Sequence, residues 1–138
     1  MSDSSLLEVG LINALVADAA LTALVPDGVW YALAPEGSER YVIVSLILAD
    51  DADEFGRRAF EDALYLVEAR VLSTTGGNAL AAAARIDAVL DGGAFTSGGY
   101  SLSVARTERV RDTEFDDVDR SIRWDRAGGR YRVHAALV

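Results

Sequence analysis

The residues that could carry out chemistry are few and scattered along this chain. His134 is the only histidine, and the 138 residues include no cysteine, which excludes disulfides, thiolate metal ligands and cysteine nucleophiles. A histidine-dependent triad would have to include His134, yet no nucleophile or orienting acid lies near it in the sequence. Carboxylates are plentiful, but none stands out as a catalytic pair. We therefore expect a non-enzymatic protein without catalytic residues, metal or cofactor, in which His134 faces solvent or an interface.

An acidic segment in the first half of the chain comes nearest to a metal-binding motif. Asp51, Asp53, Gly56 and Asp62 stand at positions 1, 3, 6 and 12 of a calcium loop. Position 5, however, is Phe55, and position 12 is an aspartate where the loop uses a bidentate glutamate. The preceding residues also predict a strand where the motif needs a helix. We therefore interpret the segment as a solvated polar turn.

A glycine pair before a helix is the second possible ligand motif. Thr74-Thr75-Gly76-Gly77 is only loosely similar to a phosphate-binding loop, because it lacks a following Lys-Ser/Thr pair and the three-glycine dinucleotide spacing. Glycines at this position allow a strand to turn into a capped helix. The sequence therefore predicts a structural turn here.

Charge is distributed unevenly along the chain, whose formal net charge is −9. Every basic residue is an arginine; residues 1–105 hold five arginines against 15 acids, and residues 106–138 hold eight against seven. A negative surface repels phosphate backbones, so we do not expect specific nucleic-acid binding. The longest apolar run, Tyr41 to Ala49, is much shorter than the roughly 20 residues that span a bilayer. No basic residue precedes the first apolar stretch, so we expect an intracellular product without a secretory signal.

The first part of the chain predicts a helix, a turn and a short strand. A serine near the N-terminus can cap a helix whose apolar residues recur every three or four positions. Asp18 is a second N-cap candidate for a short helical continuation, and Pro26-Asp27-Gly28 then ends the helix. Val29-Trp30-Tyr31 is a short strand, in which Trp30 or Tyr31 should face the core.

Hydrophobic patterns predict four further strands and one more helix. Residues 41–48 are apolar at almost every position, which favours a strand buried on both faces. Residues 63–72, 100–105 and 131–137 alternate as strands do, while 78–91 form an alanine-rich amphipathic helix. Residues 112–129 fit either an extended hairpin arm or a loop. The predicted order is α-β-β-β-α-β-β in one domain, 1–138: an α+β two-layer sandwich, with two helices on one face of a mostly antiparallel sheet of four to five strands.

One charged segment combines residue types that protein interfaces favour. Trp124 lies among Arg120, Arg123 and Arg126, and tryptophan and arginine are enriched at the energetic centres of interfaces. Exposed aromatics also occur singly without a function. We nevertheless treat this segment as a candidate interface.

Several segments occur together in an order and spacing typical of one family, and they cover essentially the whole chain. They are Asp18-Ala-Ala-Leu-Thr-Ala-Leu-Val, Pro26-Asp-Gly, Val29-Trp-Tyr, Tyr41-Val-Ile-Val-Ser-Leu, the Thr74-Thr-Gly-Gly break, the alanine-rich helix 78–91 and the closing Gly129-Arg-Tyr-Arg-Val-His-Ala.

In these segments the chain resembles the tail terminator, or tail-completion, proteins of long-tailed bacteriophages. The resemblance implies an α+β protein without catalysis or cofactor that forms a homo-hexameric ring on the completed tail tube, in a phage, a prophage or a gene transfer agent. Its partners would be other copies of itself, the major tail tube protein and the head-completion or connector protein, with DNA only passing through the lumen and no membrane. It would be assembled in the host cytoplasm and reside at the tail–neck junction of the virion. A departure from the family is Arg40, where relatives often carry a proline.

On this hypothesis the contacts to neighbouring subunits or to the tube lie in charged segments. Two other functions remain open: a different neck protein that joins head and tail, and a small acidic ligand-binding or regulatory domain with an apolar pocket beneath the alanine-rich helix. The candidate interface residues are Asp50, Asp51, Asp53, Glu54, Phe55, Arg57, Arg58, Arg111, Arg120, Arg123, Trp124 and Arg126.

Overall fold

The computed structural model describes residues 4–54, 57–115, 118–119 and 121–137, and these residues form three helices and six strands. None of the helices among these residues has the length and apolar character needed to cross a membrane. The elements are α1 (Ser4–Val16), α2 (Ala19–Leu24), β1 (Val29–Tyr31), β2 (Arg40–Glu54), β3 (Arg57–Leu72), a 3-10 turn (Ser73–Thr75), α3 (Ala79–Leu90), β4 (Ala94–Ser97), β5 (Tyr100–Phe115) and β6 (Arg123–Leu137).

Side-chain capping sets the N-terminal ends of α2 and α3, and the sequence predicted the Asp18 cap of α2. The Asp18 carboxylate accepts a hydrogen bond from the Leu21 N–H at 3.0 Å and so caps α2. The Asn78 side chain caps α3 in the same way, accepting from the Ala81 N–H at 3.0 Å. Asp18 also binds Arg85 of α3 through two contacts of 2.7 and 3.1 Å, which ties α2 to α3.

The strands form one sheet in the order β1-β2-β3-β6-β5-β4. All neighbouring pairs are antiparallel except β1 and β2, which run parallel. The β3–β6 pair joins two hairpins, β2–β3 and β5–β6, from opposite halves of the chain. Residues 112–115 and 123–129 belong to β5 and β6, so the extended-arm interpretation of this region is confirmed.

The core lies on one face of the sheet, beneath all three helices. Leu7, Leu11 and Leu15 of α1 are each at most 1% exposed, and they pack with the alternate buried residues of β2, β3, β5 and β6. The α3 residues Ala82 and Ile86 complete this layer. Burial of this continuous apolar surface is the main stabilising contribution to the fold.

The α+β class is confirmed, but several details of the predicted architecture are wrong. The sheet has six strands where four to five were predicted, because the short strand β4 was missed, and α2 is a separate third helix. The predicted polar turn is also wrong: residues 50–54 continue β2 and Arg57 already begins β3. Charged residues are compatible with a strand here because the two strands supply each other's backbone hydrogen bonds.

The prediction that Trp30 or Tyr31 faces the core is wrong as well. Both are about 40% exposed, at 39% and 40%, and Val29 packs against the core instead. The Trp30 indole N–H donates to the Asp27 carbonyl at 2.7 Å, which holds the ring over the Gly28 turn. Ile47 is 45% exposed, and it is the extra residue at a register shift of β2 against β3 between Leu46 and Leu48.

Removing the Asp18 carboxylate should destabilise the protein in a pH-dependent manner. Its pKa lies below the ordinary 3.8, chiefly because of the hydrogen bond from Arg85. A lowered pKa means that the stabilisation is complete above pH 3.8 and is lost as the pH falls below that value. Asp18→Ala should lower the free energy of unfolding at pH 7 by about 1 kcal/mol through the lost cap alone.

Urea unfolding at pH 7 and near pH 3 measures this effect. The difference between wild type and Asp18→Ala should shrink at the lower pH, whereas an equal difference at both values would contradict the assignment. Arg85→Met keeps the cap and removes only the ion pair, so it is the matched control.

Gly128 should tolerate no side chain. A Cβ at this position of β6 would lie 2.6 Å from the Glu68 Cα and closer still to the Val67 carbonyl oxygen of β3. Gly128→Ala should therefore cost about 2–3 kcal/mol in the free energy of unfolding. Gly76→Ala is the control, because Gly76 has a φ of +71° but open space around it and should lose only about 1 kcal/mol. Equal losses in chemical denaturation would contradict the close β3–β6 approach.

Candidate functional site

The face of the sheet opposite the helices carries a compact group of aromatic and charged side chains. Cross-strand register places Tyr41, Arg70, Arg126 and Asp112 in one row across β2, β3, β6 and β5. The adjacent row contains Leu72, Trp124 and Glu114. We call Tyr41, Arg70, Trp124 and Arg126 the arm-base cluster, because they lie where the β5–β6 arm leaves the rest of the sheet.

Trp124 belongs to this cluster through an aromatic contact. Its ring lies 5.8 Å from that of Tyr41 at an interplanar angle of 64°, an edge-to-face arrangement. Such pairs contribute about 0.5–1.5 kcal/mol beyond the area that they bury. Trp124 is only partly buried, so one part of the ring is held in place while another part remains available to a partner.

Arg126 lies on the same face of the sheet, and only part of its guanidinium is hydrogen-bonded by described residues. Its Nη2 atom donates to the Asp112 carboxylate and lies 3.8 Å from a Glu114 oxygen. Its Nε atom is buried and has no hydrogen-bond partner among the described residues. A buried donor without a partner costs about 1–3 kcal/mol.

A cavity of about 550 Å³ opens beside these two side chains. All four members of the arm-base cluster line it, together with Phe115, which is 53% exposed. Aromatic rings and arginines around a recess form the kind of surface that anchors a protein partner. Its full lining is Tyr41, Arg70, Leu72, Glu114, Phe115, Ile122, Trp124 and Arg126.

A buried ion pair fixes the position of Arg70. Glu68 is only 4% exposed although no described helix covers this face, and it is the one buried charged residue in the described part of the chain. The Nε and Nη2 atoms of Arg70 both lie 2.9 Å from the same Glu68 oxygen. Glu68 lies opposite Ile43 on one side and Gly128 on the other, so an apolar residue and a bare backbone flank the carboxylate.

The structure separates the arginines that the sequence grouped with Trp124. Arg126 shares the helix-free face with Trp124, as their alternate positions on β6 require. Arg123 is held on the other face, where its backbone N–H donates to the Ser73 Oγ at 3.1 Å and its Nε to Asp125 at 3.2 Å. Arg111 lines a recess of about 260 Å³ with Arg123. Arg120 lies outside the described residues.

The other candidate interface residues lie at the far end of the sheet. Asp50, Asp51, Asp53 and Glu54 belong to the last part of β2, and Arg57 and Arg58 to the first part of β3. The opposite end of β3, at Leu72, pairs with Trp124, so the structure does not bring the two groups together in one chain. Phe55 lies outside the described residues.

His134 lies on the polar face of β6, as predicted. It is exposed, and its Nδ1 atom lies 2.8 Å from an Asp62 oxygen on β3. Among the described residues no group of three or more metal-ligating side chains converges here or elsewhere.

Sequence reasoning missed Tyr41, Arg70 and Phe115 as parts of the site. Tyr41 was assigned only to a core strand, and Arg70 only to the polar end of another. The signal that could have linked Tyr41 and Arg70 is the alternation within each strand, since both lie on positions opposite the core-facing residues. Phe115 gives no such signal, because a register shift between Arg106 and Glu108 breaks the alternation of β5. The register between strands, which decides their proximity, is not visible in the sequence.

Breaking the Glu68–Arg70 pair from one side should be costly. Arg70→Met would leave a buried carboxylate without its partner, which typically costs about 3–5 kcal/mol. Adding Glu68→Gln should recover most of this loss, because a neutral amide is easier to bury. A double-mutant cycle by chemical denaturation measures the coupling. If the losses in the free energy of unfolding were additive, the contribution of Glu68 to stability would not depend on Arg70.

Comparison with known proteins identifies relatives by structure alone. No protein-family model and no curated protein sequence matches the chain. A chain in the solved structure of the virion of a native gene transfer agent particle is similar over 95% of this chain and 96% of its own length, with 25% sequence identity and a TM-score of 0.60. A second solved structure covers 96% of both chains with a TM-score of 0.57. At 15% identity it shows the likeness of the fold alone.

Proposed function

We propose that this protein is a structural component of a phage or gene-transfer-agent virion, and more specifically that it caps the completed tail tube as a ring. In this role it stops tube polymerisation and provides the surface to which the filled head attaches. The observation that carries the proposal is the similarity to a chain of a gene-transfer-agent virion over nearly the full length of both chains, at 25% identity. The resemblance of the sequence to tail terminators supplies the more specific role.

The chemistry of the surface supports an assembly role. The arm-base cluster offers Trp124 and Arg126 around an open recess that the exposed Phe115 also lines. These are features of a protein-binding surface, where a few buried aromatic and arginine side chains dominate the energy. We assign this recess to the contact with the tube or with the head-side connector.

The charge of the chain fits a channel that DNA traverses. Each copy carries a formal charge of −9, so a ring of copies would repel a passing phosphate backbone rather than bind it. The expectation of no catalysis, metal or cofactor is part of this proposal. In the described residues the chemical groups of the candidate site are aromatic rings and paired ions, which bind and position rather than react.

Deleting the gene tests the proposed role directly. Electron microscopy of particles lacking this protein should show tails of uncontrolled, excessive length. Tails of normal length without heads would instead indicate a head–tail joining protein, the alternative neck function. Particles of normal form and number would contradict both.

A point variant tests the arm-base contact. Trp124→Ala should weaken the contact by about 2 kcal/mol or more and lower the yield of complete particles, while the purified variant remains folded. Trp30→Ala is the matched control, because Trp30 is a tryptophan that is 39% exposed and lies outside the cluster. Particle yields are measured as counts in micrographs. Equal yields from both variants would show that the arm-base cluster takes no part in the contact.

A further inference from the structure

The outer edge of β5 is unpaired over its second half in the described part of the chain. β4 covers only the first residues of β5, up to Ser103. The loop between α3 and β4 then accepts the N–H groups of Val104 and Arg106. From residue 107 to Phe115 no described strand pairs with this edge, which is about 30 Å long. An open strand edge can add an extended segment of another chain as a further strand.

The acidic side chains of this part of β5 are compensated by arginines of β6. An oxygen of Glu108 lies 3.9 Å from the Nη1 atom of Arg130. Arg126 binds Asp112 and lies 3.8 Å from an oxygen of Glu114. The negative charges of the edge are therefore engaged within the chain.

Two neighbouring arginines, Arg109 and Arg111, are not compensated in this way. They are exposed, lie opposite Gly129 and Ala127 of β6, and make no hydrogen bond or ion pair with described residues. Charged side chains on an edge strand discourage pairing with unsuitable chains. Because these two charges are positive and adjacent, they make the edge selective for an acidic segment.

A cavity of about 440 Å³ beneath α3 adjoins both arginines. Its apolar lining consists of alanines of α3 and β6 together with Leu80, which is 49% exposed. The carboxylate of Asp87 in this lining already accepts from the Tyr131 hydroxyl at 3.0 Å and from Arg106 at 2.7 Å. The cavity therefore offers apolar surface beside the two cations and no uncommitted carboxylate that would compete for them.

The spacing of these features defines the chemistry of the occupant. Side chains of an added strand alternate between the two faces of the sheet, so two acids two residues apart would lie on the face of Arg109 and Arg111. A further apolar residue on that face would lie beside the cavity. Among the side chains that the structure describes, only Asp112 and Glu114 have this spacing of acids within a strand, and Arg126 of the same chain engages both. A second copy thus offers no available segment of this kind in its described part.

We propose that an extended acidic segment of a partner protein adds to the outer edge of β5 between residues 107 and 115 as a seventh strand. Main-chain hydrogen bonds to β5 supply affinity, and the side chains supply specificity. Alternate acids of the segment pair with Arg109 and Arg111, and an apolar side chain enters the cavity beneath α3.

Binding of a labelled peptide tests this proposal on the purified protein. The probe is the nonapeptide Ser-Thr-Asp-Val-Asp-Val-Leu-Thr-Ser, which places two aspartates and a leucine on one face of a strand. Fluorescence anisotropy should show saturable binding with a dissociation constant below about 1 mM. The same peptide with lysines in place of both aspartates is the matched control and should bind about tenfold more weakly or not at all. Equal binding of both peptides, or no binding of the acidic one, would overturn the proposal.

Charge reversal locates the site on β5. The double variant Arg109→Glu and Arg111→Glu should weaken binding of the acidic peptide by about tenfold or more, because both ion pairs become repulsive. Since both side chains are exposed, the variant should unfold at nearly the wild-type temperature. Arg132→Glu is the control, because Arg132 is exposed on the helix-free face of β6. Unchanged affinity in the double variant would place the peptide elsewhere, as would an equal loss in the control.

Peptides with methylated backbone nitrogens distinguish strand addition from a contact between charges alone. Only alternate N–H groups of an added strand face β5. One peptide is methylated at the two valine nitrogens and another at the two aspartate nitrogens. One of these two should lose about tenfold or more in affinity, and the other should bind nearly as well as the parent peptide. Binding of both at the parent's affinity would refute strand addition.

Sedimentation of the same variants tests the identity of the occupant. If the wild type self-associates and Arg109→Glu with Arg111→Glu abolishes this association, a second copy occupies the edge and the assignment to a partner protein is wrong. Self-association that is absent, or unchanged in the variant, agrees with the proposal. Peptide binding is measured on the isolated protein, so its outcome does not depend on the tail length of particles that lack the gene.

Discussion

The pairing of β3 with β6 is the constraint on which the rest of the structure depends. It is the only link in the described sheet between the strands of the first half of the chain and those of the second. At its centre Gly128 lies so close to Val67 and Glu68 that no side chain fits between the strands. The close approach of β3 and β6 aligns the rows of side chains on the helix-free face. It also places both strands beneath α3. Both the arm-base cluster and the cavity beneath α3 are consequences of this register.

The two faces of the sheet carry out different tasks. One face is covered by three helices and supplies the apolar core that stabilises the fold. The other is stabilised locally, through the Glu68–Arg70 pair and the Tyr41–Trp124 contact. Because side chains alternate along a strand, residues on this second face can vary in chemistry without disturbing the core.

Local patterns in the sequence predicted most helices and strands. The predictions failed where pairing between strands distant in the sequence determines the structure. Asp18 and Asn78 mark the starts of their helices in the sequence, because capping involves only neighbouring residues. Residues 50–54 suggested a turn because four of the five are acidic, yet pairing with β3 makes them a strand. Trp124 was identified as an interface candidate from its neighbours in the chain. Its contact with Tyr41 depends on two strand registers that no local pattern encodes.

The distance in sequence between β3 and β6 has a consequence for how the chain reaches its native state. The pairs between these strands, from Leu72–Trp124 to Phe60–Ala136, close loops of roughly 50 to 80 residues, whereas each long hairpin closes locally. Loop closure of this length slows folding, since its entropic cost precedes any gain from the contacts. Both hairpins can therefore form while β3 and β6 still expose unpaired edges. During synthesis β3 is made well before β6, and its unpaired edge is open to mispairing in the interval.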